Sequence, residues 1–232
     1  NRRGYLNTFF RFCQDRNWRT ENPIDKVAHH RIRGRRGTAE TQTAKQAESL
    51  MRFLETYDGL TDRQHKSGAE GKPGVLVNFF ALCLFAGIRP DWKDGEISKL
   101  RSEDIDVETG VILIEPQVSK VNEKRTVQIQ PNLDQWLRRY PLSEYPIFSL
   151  GFPRMYKDVR QSFSLGHDVL RHTFISMLVG KFRSIGDASL QAGNSEAVIR
   201  RYYLDVKSVA EAESFWNVYP TTDERKLLQF GG

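Results

Sequence analysis

The chain has 232 residues, of which 39% are hydrophobic and 28% charged, and it contains 14 Phe, 8 Tyr and 4 Trp. This composition is that of a folded globular domain and excludes a disordered tail. Its two cysteines lie far apart, no Cys/His group has metal-ligand spacing, and no apolar run approaches the roughly 18 residues of a membrane span. We therefore expect a protein of a reducing cytoplasm that holds no metal. The start Asn1-Arg2-Arg3, neither a methionine nor a signal peptide, predicts a piece of a longer chain.

Positive charge is concentrated in two blocks of the chain. Residues 1–36 carry ten Lys and Arg against three acidic residues (+7), and residues 117–204 carry thirteen against seven (+6). Residues 37–116 carry a net charge of −5. Basic blocks attract polyanions, because neutralising phosphates releases their condensed counterions. Charge alone favours nucleic-acid binding and a merely solvated basic surface equally.

Apolar residues at helical spacing predict helices through most of the first half of the chain. The first two helices span about residues 5–17 and 43–57. The polar, glycine-rich stretch 61–74 predicts a loop. Residues 75–87 are almost wholly apolar, which predicts a buried central helix that ends at a glycine.

Two β-branched stretches follow a short helix that is predicted around Ile97 and Leu100. Residues 111–114 and 126–129 predict two strands on either side of the polar turn 117–125. Helical spacing then returns over residues 131–139, 153–163, 167–179, 185–192, 195–203 and 206–217. The predicted fold class is mainly α with a small antiparallel β-sheet (α+β).

One short string combines a histidine and an arginine at a predicted helix start. His167 and Arg171 are four residues apart, which places them on one face of a helix. The helix N-terminus adds its own N–H groups, so this face is suited to a phosphate. A structural or surface His/Arg pair is the alternative for these two residues alone.

Further residue types of the same chemistry occur along the chain in a fixed order. Arg89 follows Gly87-Ile88, Lys120 is the first cation of the polar turn, and Asn194 lies between Gly193 and Ser195. The adjacent tyrosines Tyr202 and Tyr203 come last. The order Arg, Lys, His-x-x-x-Arg, turn residue, Tyr resembles the tyrosine recombinase (phage-integrase) family over about residues 38–217.

The resemblance implies a DNA strand-breaking and rejoining enzyme with a tyrosine nucleophile and no cofactor. Asn194 plus nine residues, the family interval, selects Tyr203 over Tyr202. The implied catalytic residues are Arg89, Lys120, His167, Arg171, Asn194 and Tyr203. The residues predicted to contact DNA are Arg31, Arg33, Arg35, Arg36, Lys124, Arg125, Arg200 and Arg201.

Each residue type has a physical role in such a reaction. The guanidiniums of Arg89 and Arg171 would clamp the non-bridging phosphate oxygens, where charge accumulates in the transition state. His167 would accept the tyrosine proton, and Lys120 would protonate the departing 5′ oxygen. Asn194 is expected to cap the helix that follows it and to contact the phosphate weakly.

The resemblance also implies a domain organisation and a set of partners. Residues 1–36 would be the last helix of a truncated core-binding domain plus a basic linker, and residues 37–232 the catalytic domain. The partner is duplex DNA, in a bacterial or phage-derived, nucleoid-associated setting. The C-terminal helix, about residues 206–217, is expected to expose an apolar face and to mediate self-association on DNA. Docking of this helix in cis is the alternative.

Three departures from the family pattern leave other functions open. Glu96 follows Arg89 by seven residues and not three, which suggests an insertion of about four residues. The interval from His167 to Arg171 is four and not three, so either His167 or Asp168 takes the usual place. Asn194 replaces the more common histidine or tryptophan. A catalytically weakened DNA-binding relative and a type IB topoisomerase-like enzyme are therefore the alternatives.

Overall fold

The computed structural model describes residues 2–28, 40–119, 124–203 and 207–222. The chain forms two compact units, Asn1–Arg36 and Gly37–Gly232. Within the described ranges, no helix is both long enough and apolar enough to cross a membrane.

The first unit is one helix, α1 (Arg2–Asp15), followed by a series of turns up to residue 28. The helix was predicted at about residues 5–17. The Arg3 guanidinium holds the turns against the helix by donating to the carbonyls of Ile24 (3.2 Å) and Val27 (3.0 Å). Cys13 and Ile24 are buried between helix and turns. The helix and the turns are therefore held together by these hydrogen bonds and by buried side chains that include Cys13 and Ile24.

The second unit is mainly helical with a small sheet, as predicted. Its elements in chain order are α2 (Ala44–Thr56), α3 (Asp62–Lys66), α4 (Val77–Phe85), α5 (Glu96–Lys99), a 3₁₀ turn (Ser102–Asp104), β1 (Ile105–Asp106), β2 (Val111–Ile114), β3 (Arg125–Gln128), α6 (Pro131–Arg139), α7 (Phe152–Ser162), α8 (Val169–Phe182), α9 (Ile185–Ala192), α10 (Glu196–Val198), a π-helical turn (Ile199–Tyr203) and α11 (Val209–Trp216).

The core is built around α4, in which every residue is buried. It packs against α2, α6 and α8. The side chain of Thr43 accepts a hydrogen bond from the Gln46 N–H, and the Gln46 side chain accepts one from the Thr43 N–H. This reciprocal cap fixes the start of α2 and satisfies two otherwise unpaired donors. The predicted loop 61–74 contains α3, where Thr61 and Gln64 form the same kind of cap.

The sheet is antiparallel with the strand order β1-β2-β3. Ile112 pairs with Ile105 on one side and with Val127 on the other, and all three side chains are buried. The alternation of buried and exposed positions along β3 also turns Arg125 inward. A charged side chain thus enters the interior at the first residue of β3.

The C-terminal helix α11 packs in cis, so the prediction of an exposed apolar face is wrong. Phe215 and Trp216 are buried, and the ring of Phe215 lies 5.1 Å from that of Phe85. The Trp216 indole donates to the Met177 carbonyl at 3.3 Å. Packing these large aromatic side chains into the core removes apolar surface from water, and this stabilises α11 in its position.

Gly87 allows the chain to turn sharply between α4 and the segment that follows. Its φ is +64°, and a Cβ atom there would lie 2.3 Å from Cδ1 of Phe174. Both features exclude a side chain, because left-handed backbone strains other residues and the Phe174 ring belongs to the buried core.

We predict that Gly87→Ala lowers the free energy of unfolding by roughly 2–5 kcal/mol, since backbone strain and overpacking act together. Gly110→Ala is the matched control. Its φ is also positive (+71°), but nothing lies within 4 Å of the added atom, so we expect a loss of about 1 kcal/mol. Urea unfolding of both variants measures the difference, and equal losses would show that the contact with Phe174 has no role.

Candidate functional site

The site is organised around the buried carboxylate of Glu96, the first residue of α5. Its Oε1 accepts hydrogen bonds from Nη1 of Arg89 (2.7 Å) and Nη1 of Arg125 (3.2 Å). Its Oε2 accepts one from Nη2 of Arg125 (2.8 Å) and lies 3.7 Å from Nη1 of Arg171. We call these four residues the Glu96 cluster. It joins elements that are far apart in the chain.

The cluster is electrostatically unbalanced. Burial alone would raise the pKa of Glu96, but the guanidiniums of Arg171, Arg125 and Arg89 outweigh it and hold that pKa below its ordinary value of 4.5. Arginine stays charged at all ordinary pH values. Three guanidiniums around one carboxylate leave two positive charges in excess. The cluster is therefore suited to an anion.

Arg89 reaches Glu96 although seven residues separate them. Asp91 closes a turn between them, because its Oδ1 accepts from the backbone N–H groups of Lys93 (3.3 Å) and Asp94 (3.4 Å). The turn accommodates the extra residues that the sequence suggested. The Glu96 carboxylate therefore still accepts hydrogen bonds from the side chain and the backbone N–H of Arg89. The unusual spacing therefore leaves the ion pair intact.

Asn194 lies beside Arg89. Arg89 Nη2 donates to Asn194 Oδ1 at 3.1 Å. The prediction that Asn194 caps the following helix is wrong, since Ser195 is the N-cap of α10 and its hydroxyl accepts from the Val198 N–H. Asn194 Nδ2 is buried and has no hydrogen-bond partner among the described residues. It is a donor that a bound acceptor would satisfy.

His167 and Arg171 do not share a helical face, contrary to the sequence-based prediction. Asp168 has a left-handed backbone (φ +60°) and is the N-cap of α8, so His167 precedes the helix. The His167 side chain is 85% exposed, with Nδ1 at 3.3 Å from Asp168 Oδ2. The Arg171 side chain is 0% exposed. It donates to the carbonyls of Gly87 and Ala192.

The residues predicted to contact DNA lie in different surroundings. Arg125 is buried and binds Glu96 with both Nη atoms, while its Nε donates to the Gln191 carbonyl at 2.9 Å. Lys124 is exposed and pairs with Glu115. Arg200 and Arg201 are exposed in the π-helical turn. The sequence did not predict the Arg125–Glu96 pair. The alternation of buried and exposed positions along β3 can indicate that Arg125 faces inward, but it does not indicate which residue pairs with it.

A groove of about 730 Å³ opens beside the cluster. Its walls include Lys124 and Arg125 from one side and the turn Gly193-Asn194-Ser195 from the other. The basic groove therefore lies beside the buried Glu96 carboxylate, which binds Arg89 and Arg125.

Several predicted site residues lie outside what the structure describes. Lys120 falls outside the described residues, and so do the four linker arginines Arg31, Arg33, Arg35 and Arg36. The backbone of Tyr202 and Tyr203 belongs to the π-helical turn, but the description does not include their side chains. In the described ranges, no group of three or more His, Cys, Asp or Glu residues has the arrangement of a metal site.

Comparison with solved structures shows the fold. The chain is similar to the Tn1549 transposon integrase in complex with circular intermediate DNA, with a TM-score of 0.58 and 15% identity over 92% of this chain and 76% of that one. It is similar to XerA recombinase (TM-score 0.53, 18% identity, 80% and 67% covered). The site-specific recombinase XerH, bound to a palindromic difH substrate, gives a TM-score of 0.51 and 16% identity, with 82% and 56% covered.

No protein-family model matches the sequence, and no curated protein matches it at a significant level. The structural likeness nevertheless supports one fold assignment. The chain has the catalytic-domain fold of the tyrosine recombinases.

We predict that Glu96→Gln lowers the melting temperature by about 10 °C at pH 7, because breaking a buried ion pair costs roughly 3–5 kcal/mol. The lowered pKa of Glu96 sets the pH dependence. Stability from this carboxylate is fully present above its ordinary value of 4.5 and is lost as the pH falls through the folded-state value. The gap between wild type and Glu96→Gln should therefore narrow below about pH 4.

Glu103→Gln is the matched control for this measurement. Glu103 also pairs with an arginine, Arg101, but both side chains are largely exposed. Exposed pairs contribute little, so the melting temperature should change by less than about 2 °C. A gap for Glu96→Gln that stays constant down to about pH 3 would contradict the charged state assigned to Glu96.

Proposed function

We propose that this chain, which has the tyrosine recombinase catalytic-domain fold, binds duplex DNA and breaks and rejoins its strands through a covalent bond to Tyr203. The observation that carries the proposal is the Glu96 cluster, which holds Arg89 against Asn194 beside a basic groove. Three of the residues that the family order singled out, Arg89, Arg171 and Asn194, belong to this cluster or contact it.

The excess positive charge of the Glu96 cluster favours an anionic substrate. A phosphodiester is an anion whose non-bridging oxygens accept hydrogen bonds, and a preorganised guanidinium binds them without having to reorient. Arg89 has the most exposed side chain of the three cluster arginines (15%). Asn194 Oδ1 accepts from Nη2 of Arg89 and so holds this guanidinium in place. Arg89 would contact the phosphate.

The proposed reaction conserves the phosphate ester. The Tyr203 oxygen attacks the phosphorus and loses its proton, the bond from phosphorus to the 5′ oxygen breaks, and the 5′ oxygen leaves as a hydroxyl. The 3′ end stays attached as a phosphotyrosine. Attack by a 5′ hydroxyl on that link reverses the sequence and releases the tyrosine. Because one ester replaces another, no nucleotide hydrolysis is needed.

Two residues are proposed to transfer protons in this reaction. His167 is exposed before α8 and would accept the tyrosine proton, and Lys120 would donate a proton to the 5′ oxygen. The proposal requires both side chains to lie close to the Tyr203 oxygen or the 5′ oxygen. Lys124, Arg200 and Arg201 are exposed cations that would contact backbone phosphates, as would the linker arginines.

Duplex DNA is the proposed partner, and the cytoplasm of a bacterial or phage-infected cell is the proposed setting. Two of the similar solved structures are DNA complexes, those of the Tn1549 integrase and XerH. Self-association through the C-terminal helix would have to use the exposed side of α11, since its aromatic side chains are packed in cis.

The competing function is a DNA-binding relative with weakened catalysis. The full burial of Arg171 favours it, because a guanidinium with no exposure does not reach a substrate in this conformation. Covalent trapping separates the two functions, since a binding module retains DNA but forms no bond to it.

We predict that the full chain captures members of a randomised duplex library carrying a strand nick, from which the 5′-hydroxyl fragment diffuses away after cleavage. The complexes should survive denaturation. Tyr203→Phe keeps the ring and removes only the attacking oxygen, so trapping should fall at least 100-fold while DNA binding changes little. Denaturing gels of the trapped complex and gel-shift titrations of binding provide the two measurements.

Tyr202→Phe is the matched control, since it makes the same change one position away. Its trapping should stay within a few-fold of wild type. If Tyr202→Phe abolishes trapping and Tyr203→Phe does not, the nucleophile is displaced by one residue. If the wild-type chain binds DNA but forms no denaturation-resistant complex, the weakened relative is the better description.

A further inference from the structure

We infer that Arg125 is a positioning residue, which holds the connection between β2 and β3 at the wall of the groove so that Lys120 can protonate the departing 5′ oxygen. We call this connection, residues 115–124, the Lys120 turn. The inference rests on the proposed function and assigns a role within that same site. It replaces the direct contact with DNA that the sequence suggested for Arg125.

The described ends of the Lys120 turn lie at the groove. Ser119 and Lys124, the described residues on either side of Lys120, both line it. The other wall includes Asn194 and Val198, and Val198 is followed directly by the π-helical turn of the proposed nucleophile. The chain therefore leaves and re-enters the described ranges at the wall of the groove, on both sides of Lys120.

The base of the Lys120 turn is closed by Glu115. Its carbonyl accepts from the backbone N–H groups of Val118 (2.9 Å) and Ser119 (3.0 Å). Its carboxylate pairs with Lys124 Nζ at 3.1 Å. These contacts all lie within the turn, so they fix the shape of its base but not its position relative to the rest of the site.

Arg125, the first residue after the Lys120 turn, links it to two other elements. Its Nη1 and Nη2 donate to Oε1 (3.2 Å) and Oε2 (2.8 Å) of Glu96 in α5, and its Nε donates to the Gln191 carbonyl of α9 (2.9 Å). The side chain is 7% exposed. Each of the three guanidinium nitrogens therefore has an acceptor inside the protein, which is typical of a side chain that holds elements together.

The sheet register connects Arg125 to the base of the turn. Arg125 pairs with Ile114, which is buried, in the last β2–β3 pair before the Lys120 turn. A displacement of Arg125 would therefore move that base. Lys99 also contacts the turn, through Nζ and the Gln117 carbonyl, but this bond is long (3.5 Å) and exposed. The buried, charge-assisted bonds of Arg125 are the stronger link.

The turn of Asn194 is packed against the same arginine. A Cβ atom on Gly193 would lie 3.0 Å from Cδ and 3.2 Å from Nε of Arg125, and Gly193 has a left-handed backbone (φ +63°). The glycine lets the turn approach the side chain closely. Arg125 therefore contacts both walls of the groove and fixes the base of the Lys120 turn relative to Asn194.

A leaving-group assay separates the positioning of Lys120 from a general loss of structure. Wild type, Arg125→Lys and Lys120→Ala are compared on a duplex recovered by covalent trapping, with either oxygen or sulfur at the bridging 5′ position. Thiols are far more acidic than alcohols, so the sulfur leaves as a thiolate and needs no proton. Arg125→Lys keeps the positive charge but loses the planar fork that reaches both Glu96 and Gln191.

We expect Arg125→Lys to cleave the ordinary phosphodiester roughly 10–100-fold more slowly than wild type, because proton transfer to the 5′ oxygen is impaired. On the 5′-sulfur duplex its rate should return to within about 3-fold of wild type. Lys120→Ala should show the same pattern with a larger deficit on the phosphodiester. An equal deficit of Arg125→Lys on both substrates would overturn the inference.

Leu54→Ala is the control for lost stability. Leu54 is fully buried in α2, which packs against α4 and α11, so its truncation lowers the melting temperature without a change in the Lys120 turn. Any cleavage deficit of this variant should be equal on the two substrates. Rescue of Leu54→Ala by the 5′ sulfur would also count against the inference, since rescue would then follow from destabilisation alone.

A second experiment does not depend on catalysis. Amide hydrogen exchange is measured by NMR without DNA at Val118 and Ser119, whose N–H groups donate to the Glu115 carbonyl. Arg125→Lys should speed their exchange at least about 5-fold more than Leu54→Ala does, because the base of the turn loses its link to the rest of the site. Unchanged exchange in Arg125→Lys would overturn the inference. Failure of the wild-type chain to trap any duplex would refute the proposed function instead, and the exchange rates would still decide whether Arg125 holds the turn.

Discussion

The buried carboxylate of Glu96 is the constraint on which the rest of the site depends. A single carboxylate in the interior is stable only with charged partners, and here it receives hydrogen bonds from Arg89 and Arg125 with Arg171 close by. The same contacts fix the positions of the Arg89 and Arg125 guanidiniums. Under the proposed function, stability and phosphate binding rest on one set of hydrogen bonds, so site substitutions are expected to change both.

Two glycine turns bring the cluster together. Gly87 and Gly193 both have left-handed backbone and both lie where an added Cβ would press on a neighbouring side chain. Each turn directs one of the interacting residues, Arg89 or Asn194, toward the other, and the Arg171 guanidinium binds a carbonyl at each turn. The backbone geometry and the buried arginine therefore act together to place the site.

The segment that carries the two tyrosines is anchored at both ends in the second unit. Ile199, at its start, is fully buried, and α11 after it contributes Phe215 and Trp216 to the core. Beyond α11, the Trp136 indole donates to the Val218 carbonyl at 2.8 Å.

The sequence by itself determined the elements, because local periodicity decides them: residues 131–139 and 185–192 form helices with the predicted bounds, and the apolar run before Gly87 forms the buried central helix. It also placed Arg89 and Asn194 in family order. Only the tertiary structure decided that Arg125 turns inward to Glu96, that the Arg171 side chain is fully buried and that α11 packs in cis. The contacts behind these outcomes span 29 residues for Arg125–Glu96 and 84 for Arg171–Gly87, separations at which sequence spacing carries no geometric information.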